Sequence, residues 1–371
     1  MRIVHYFPDA LAGETGLTAA VRQWCVGLQQ AGVETELVVD RRTARRAPPP
    51  DVSTIRIKHL LRGRLRIPIG LGTIARGADV LVLHSGWVLF NVAAARTATR
   101  DQVPYIQTPH GAYYEQILVK HAVRKLLINS VMERRHLSRA LAVHCLFPDE
   151  ERGLAALGST SPRVLVPHGI TPSERSWDGG SSGALLWIGR IEPEHKGLDV
   201  LFRALALFPP AERPKLLLRG YDLNNNTARL RTLARDLHLE PWIEIGPPVK
   251  GEEKDGLLER AAGFVYPSRW DACPVSVTEA LAVGIPTLVT PYPLGRLIAS
   301  RGGAVLAEAS ADSIAQGIRR LLSPEGARIG RRGQQLADEL SWNTAVDSWL
   351  EQVSALMNPT SPTLETVAVA G

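Results

Sequence analysis

The chain has 371 residues (40.4 kDa), 45% of them hydrophobic and 22% charged, and carries a net charge of +6 at pH 7. That length suits two domains of roughly 150–200 residues and excludes a small binding module, and the composition excludes disorder on a large scale. The basic excess lies in residues 1–178, with 23 Lys and Arg against 15 Asp and Glu, whereas the remainder has 20 against 22; an anionic partner should prefer the first half.

Short apolar runs alternate with stretches of helical period along the whole chain, the pattern of parallel sheets with crossover helices. RIVHYF (2–7) reads as a strand, LTAAVRQWCVGLQQAG (17–32) as a helix closing at Gly32, and ETELVVD (34–40) as the next strand. Further strands are predicted at 79–84, 104–111, 140–147 and 163–169, with a helical stretch over 116–139. The Gly, Ser and Pro content of 171–183 predicts a linker. Strands at 184–190, 215–220, 242–246, 263–268 and 286–290 then alternate with helices at 197–208, 226–238, 252–262 and 275–283. Residues 341–357 read as an amphipathic helix with Ser341 as its N-cap. The tail 358–371, with two prolines and few anchors, reads as disordered. The expected fold is α/β with two doubly wound domains, 1–170 and 184–340, facing each other across a cleft.

Cys25, Cys145 and Cys273 stand more than a hundred residues apart, which fits a reduced, cytoplasmic setting better than a disulfide framework. The opening MRIVHYFPD reads as a first strand with no signal-peptide core. The longest apolar stretch, 78–95, is interrupted by His84, Ser85, Gly86 and Asn91, so no spanning helix is expected.

Unusual residues collect where the predicted strands end. After strand 184–190 comes Gly189-Arg190-Ile191-Glu192-Pro193-Glu194-His195-Lys196-Gly197, two cations six positions apart before a helix. Such a loop suits a diphosphate, because the free N–H groups and dipole of a helix start favour anions; a solvated loop with two surface cations is the plain alternative. The run from Tyr266 to Pro286 sets Asp271 in a loop and Glu279 in the following helix. A helical carboxylate can accept both hydroxyls of a ribose, one in the loop can reach a sugar hydroxyl, and the amides of Val275 and Ser276 can meet phosphate or sugar oxygens. A helix cap plus a surface Glu explains the same residues without a ligand. In the first half, Ala12-Gly13-Glu14-Thr15-Gly16-Leu17-Thr18 opens a helix, and Gly16 permits close approach of a ligand to the backbone. As a dinucleotide fingerprint this loop fails, with Asp40 a weak ribose candidate. His110 and His168 end two strands, and one of the two is expected to be functional.

Taken together, these features resemble the GT-B glycosyltransferases of family 4, retaining enzymes that use nucleotide sugars, over nearly the whole chain. Gly189, Arg190, Lys196 and Gly197 match the family's phosphate loop. Pro267, Ser268, Pro274, Glu279, Ala280, Ala282, Gly284 and Pro286 match its long C-terminal block, and His110-Gly111 matches its strand-end His-Gly. Ser341-Trp342 matches the start of a final helix that packs back on the N-terminal domain. Three positions depart from the pattern: Asp271 stands for the first Glu of the family pair, Thr15-Gly16 for paired glycines, and His168 for an Asn.

The resemblance implies a metal-independent transferase of the hexosyl or N-acetylhexosaminyl class with no cofactor beyond its nucleotide-sugar co-substrate, a UDP-sugar being favoured over a GDP-sugar. Arg190 and Lys196 would neutralise the departing diphosphate. Glu279 would hold the ribose, Pro248 and Val249 would meet the base through backbone groups, and Pro274, Val275 and Ser276 would line the donor. His110 and Asp271 would contact the donor sugar. No Asp-x-Asp metal motif occurs. A nucleotide-sugar epimerase of the same fold and a non-catalytic sugar-nucleotide-binding protein are the alternatives. The acceptor is a glycan, a lipid-linked molecule or a natural product. The basic run Arg41, Arg42, Arg45, Arg46, Arg56, Lys58, Arg62, Arg64 and Arg66 reads as an acceptor loop, a solvated face or a peripheral contact with an anionic membrane. Nucleic acid is not expected as a partner.

Overall fold

A computed structural model describes residues 1–13, 15–119, 132–222 and 224–358. The chain divides into two units, Met1–Gly169 with Trp342–Gly371, and Ile170–Ser341.

Unit 1 runs β1 (Arg2–Tyr6), α1 (Gly16–Gln30), β2 (Glu34–Asp40), β3 (Ser53–Leu60), β4 (Ile67–Ile69), α2 (Leu71–Ala75), β5 (Val80–His84), α3 (Leu89–Arg100), β6 (Tyr105–Thr108), α4 (Glu115–Val119), α5 (Arg134–Leu137), β7 (Ala142–Cys145), α6 (Glu150–Ala156) and β8 (Arg163–Leu165). Its eight-stranded sheet has the order β4-β3-β2-β1-β5-β6-β7-β8. Only the β3–β4 pair is antiparallel. Strands such as Val80–His84 are buried at every position, as a parallel sheet covered on both faces requires. One face packs Val38, Leu81, Phe90 and Ala94 into a core with α3; the other packs Ile3, Val82 and Ile106 beneath α1 and a last helix, α14 (Trp342–Met357). The two helices approach so closely that a Cβ on Gly27 would stand 2.8 Å from Val346. The helical reading of 116–139 is met by α4 and α5 at its ends, its middle lying outside the described residues, as does the tail from 359 onward.

Unit 2 runs β9 (Ala184–Arg190), α7 (Leu198–Ala206), β10 (Lys215–Tyr221), α8 (Asn226–Asp236), β11 (Ile243–Gly246), α9 (Gly251–Arg260), β12 (Gly263–Tyr266), α10 (Val275–Val283), β13 (Thr287–Val289), α11 (Pro293–Ser300), β14 (Val305–Leu306), α12 (Ala311–Leu321) and α13 (Pro324–Glu339). Every pair in the six-stranded sheet β11-β10-β9-β12-β13-β14 is parallel. Strand order reverses between β9 and β12, which makes the crevice beyond their carboxyl ends the natural ligand position of such a sheet. Residues 171–183 lie along this unit: Trp177 donates to the carbonyls of Val283 and Ala261, and Arg175 pairs with Glu259 at 3.1 Å.

Candidate active site

The loops that leave β9 and β12 meet at this switch point. Gly197 lets them do so: it sits at φ +65°, and a Cβ there would lie 1.9 Å from the carbonyl oxygen of Pro267. Only glycine fits both the conformation and the space. The residue before it, Lys196, donates its backbone N–H to Glu192 at 2.8 Å, and its ammonium lies 2.5 Å from Asp271 Oδ2. Asp271 also accepts from the Tyr266 hydroxyl at 3.0 Å and from the Ala272 N–H at 3.1 Å. Burial, reinforced by the Asp271 charge, pushes the Tyr266 phenol well up, so it remains a donor. The Lys196 side chain is nearly buried, whereas that of Arg190, 3.3 Å from Glu192, is half exposed at the end of β9. His195 is clamped between Glu192 (2.7 Å) and the Trp270 carbonyl (2.7 Å), with its ring stacked on the indole of Trp270.

Helix α10 starts directly after this cluster. Pro274 is its N-cap residue, and Val275 and Ser276 are its first two positions, whose amides have no intrahelical acceptor. One turn on, Glu279 lies 2.5 Å from Lys254 of α9. Val249 is buried in the segment between β11 and α9, and β11 is separated from β9 by β10. Lys196, Asp271 and Tyr266 thus gather just before α10, with Arg190 and Glu192 beside them, an anion-favouring cluster in which the Asp271 carboxylate is partly buried, and Glu279 lies along the same helix. Lys254 and Tyr266 belong to this cluster although nothing in their spacing singled them out.

Unit 1 presents a different arrangement. Trp24 Nε1 lies 3.1 Å from His168 Nδ1; His168 Nε2 lies 3.2 Å from His110 Nδ1; His110 Nε2 lies 2.8 Å from His84 Nδ1; and His84 Nε2 lies 2.9 Å from His5 Nδ1. An indole nitrogen only donates, so His168 Nδ1 accepts and its proton sits on Nε2. The same step repeats along the chain, leaving all four rings protonated at Nε2 and His5 Nε2 as a buried N–H without a partner among the described residues. His144 runs alongside, bonded to the Val166 carbonyl at 2.8 Å. Burial holds these imidazoles neutral: His5 and His168 are pulled down to about 3, His144 to about 4, and His84 and His110 well below the ordinary value. Both ring nitrogens of His110 are therefore engaged within unit 1, and His110 and His168 are consecutive links of one chain rather than alternatives. Gly16 is the first residue of α1, and Thr15 caps that helix in a reciprocal box with Thr18 (3.2 and 2.8 Å). Asp40 binds the guanidinium of Arg42 at 2.8 Å and lies 3.6 Å from Arg66, a structural use of that carboxylate.

Residues 15–169 match the glycosyl transferase 4-like domain, and residues 180–335 match glycosyl transferases group 1. The GDP-mannose:cellobiosyl-diphosphopolyprenol alpha-mannosyltransferase of Xanthomonas campestris is 23% identical over 264 residues, 68% of each chain. Sucrose-phosphate synthase from Thermosynechococcus elongatus superimposes with a TM-score of 0.74 over 97% of this chain and all of its own, at 18% identity. Anabaena HepE, solved with UDP-glucose, gives 0.74 over 96% of this chain and all of its own, at 14% identity. Each unit carries a doubly wound parallel sheet and each is matched by its own half of one enzyme family, so the chain belongs to the GT-B glycosyltransferases of family 4.

Proposed function

We propose that this glycosyltransferase is a retaining, metal-independent enzyme that moves a sugar from a nucleoside-diphosphate sugar to a hydroxyl of a glycan, lipid-linked or natural-product acceptor. The observation that carries the reading is the Arg190 and Lys196 pair at the switch point of unit 2, with Lys196 held on Asp271 at 2.5 Å beside the free amides of α10. As the bond from the anomeric carbon to the β-phosphate oxygen breaks, negative charge builds on the diphosphate, and two fixed cations with the helix start stabilise it. The acceptor oxygen forms its bond on the same face, and its proton passes to the departing phosphate, so no protein nucleophile is needed. Asp271 orients the sugar hydroxyls. Glu279, held by Lys254, keeps its second oxygen for the ribose, and the backbone around Val249 receives the base. His110 contributes by exchanging one of its histidine partners for a sugar hydroxyl, with the backbone at Gly16 beside the donor. UDP-glucose in the HepE complex and GDP-mannose in the name of the Xanthomonas relative support a UDP- or GDP-linked hexose.

Arg190→Ala and Lys196→Ala should each lower kcat by roughly a hundredfold or more, with the circular dichroism spectrum retained and turnover unaffected by EDTA. An active double variant refutes the reading. A thermal-shift series with UDP, GDP, ADP and TDP identifies the base, since a nucleotide that binds only the folded state raises Tm.

A further inference from the structure

Large apolar side chains left in water cluster in one place in unit 1. Leu60, Leu61, Leu65, Ile67 and Ile69 are between 36% and 60% exposed, and all lie in the ten residues that close the β3–β4 hairpin. The antiparallel register sets Leu60 opposite Ile67 and Lys58 opposite Ile69, so the apolar residues share an outward face with a cation. The inward face is anchored: His59 bonds the Tyr6 hydroxyl at 2.8 Å, and Arg66 is buried on Asp9 at 2.8 Å. Leu61, at φ +59° in the turn that follows β3, is itself more than half exposed. Contiguous exposed apolar surface of this kind on a soluble domain marks a contact site.

Its surroundings name the partner. Residues 52–78 contain no Asp or Glu and no Phe, Tyr or Trp. Arg56, Lys58, Arg62 and Arg64 are exposed around the apolar face, and their side chains pair with no carboxylate among the described residues. Unlike Arg66, they are free to meet an external anion. A polyanion such as nucleic acid has no use for five aliphatic side chains and usually demands aromatic stacking from a single-strand binder. Aliphatic side chains rimmed by unpaired cations are what an anionic bilayer takes, the apolar groups entering the boundary of the acyl chains and the cations remaining at the head groups.

We propose that the β3–β4 hairpin docks this enzyme on an anionic lipid bilayer. The site is built into the edge of the unit 1 sheet, goes beyond the transfer chemistry, and places on a membrane whatever acceptor the enzyme uses. The test is flotation of the full chain with phosphatidylcholine vesicles, with and without phosphatidylglycerol, at low and high salt. The expected result is flotation with the anionic vesicles alone and release by salt. Arg62→Glu with Arg64→Glu should weaken partition by roughly 30-fold or more, each cation near such a surface being worth about a fivefold change. Leu60→Ser, Leu61→Ser and Leu65→Ser together should weaken it comparably, and Arg56→Glu with Lys58→Glu gives an independent charge variant should either of these fail to fold. Absence of flotation, or undiminished flotation of the folded serine variant, overturns the proposal. So does tight retention on single-stranded DNA that the arginine reversals abolish and the serine variant keeps, which would make the surface a polyanion site. Flotation reads binding alone, so its failure leaves the transferase reading intact, and loss of nucleotide turnover leaves the docking reading intact.

Discussion

The two units place titratable groups at or beyond the carboxyl ends of strands in similar sheets and keep them in opposite ways. In unit 1 the histidine chain is buried, uncharged and ordered by hydrogen bonds alone; in unit 2 Lys196 and Asp271 form an ion pair 2.5 Å apart, with Arg190 left half in water. A buried imidazole escapes the cost of desolvation by giving up its proton, so its stability belongs to one side of a pH boundary. An ion pair meets the same cost by Coulomb attraction, so its stability depends on both partners being present. One arrangement is therefore broken by acid and the other by mutation.

The largest effect should come from acid. His5, His84, His110, His136, His144 and His168 are all depressed by burial. The unfolded chain takes up their protons as pH falls below about 6.5, while in the folded unit His5, His136, His144 and His168 resist down to about 3–4. Stability is thus fully present above about 6.5 and lost by about 1 kcal/mol per histidine for each pH unit below it. Glu150, raised to about 7 by burial, and Glu133, also raised by burial, work in the opposite sense, losing their contribution as pH rises from about 4.5, but they are two groups against six histidines. Fluorescence and circular dichroism melts between pH 7 and 5 should show the unit 1 transition collapsing ahead of that of unit 2; a common, shallow decline would erase the contrast.

Next in size is Lys196→Met, which strands Asp271 beside the buried ring of Tyr266 and should cost about 2 kcal/mol in denaturant unfolding of unit 2. Adding Asp271→Asn should recover part of that loss, and a second change that only adds to the first would deny the pairing. The smallest is Trp24→Phe. It removes the donor that sets the direction of the histidine chain and should cost about 1 kcal/mol. Nitrogen-15 spectra of labelled histidine should show Nε2–H tautomers at His5, His84, His110 and His168 in the parent protein and mixed tautomers in the variant. Mixed tautomers in the parent would break the directional reading.

Much of this architecture was legible from periodicity. The strands at 2–7, 34–40, 79–84 and 184–190 fall on β1, β2, β5 and β9 within a residue or so, because each is an apolar run buried on both faces and bounded by turn residues. Among the elements that escaped, three did so for plain physical reasons. β3 alternates inward residues with cations and so reads as a basic surface, β14 is two residues long, and α3 (LFNVAAARTATR) is filled with Ala, Thr and Arg and has no strong apolar stripe. The unit 2 cluster was readable because its members follow one another along two loops. The histidine chain was not, because residues 5, 84, 110 and 168 become neighbours only through strand order. Its one available signal was the recurrence of His near the carboxyl ends of strands, His5 on β1, His84 on β5 and His110 just past β6. The Lys254 partner of Glu279 likewise depends on how α9 packs beside α10.

Helix α14 has a consequence in time. Its Val346, Trp349 and Val353 complete the face of the unit 1 core that also holds Trp24, and Trp342 lies against Gly169, where a Cβ would come within 2.4 Å of it. Those residues are translated only after the whole of Ile170–Ser341. On the ribosome, then, the second unit has its full sequence first, while the N-terminal sheet waits with an uncovered apolar face for the last helix to emerge. Shortening the chain before residue 342 would leave an intact second unit attached to an unfinished first one, so helix α14 sets the moment at which the core of unit 1 can close.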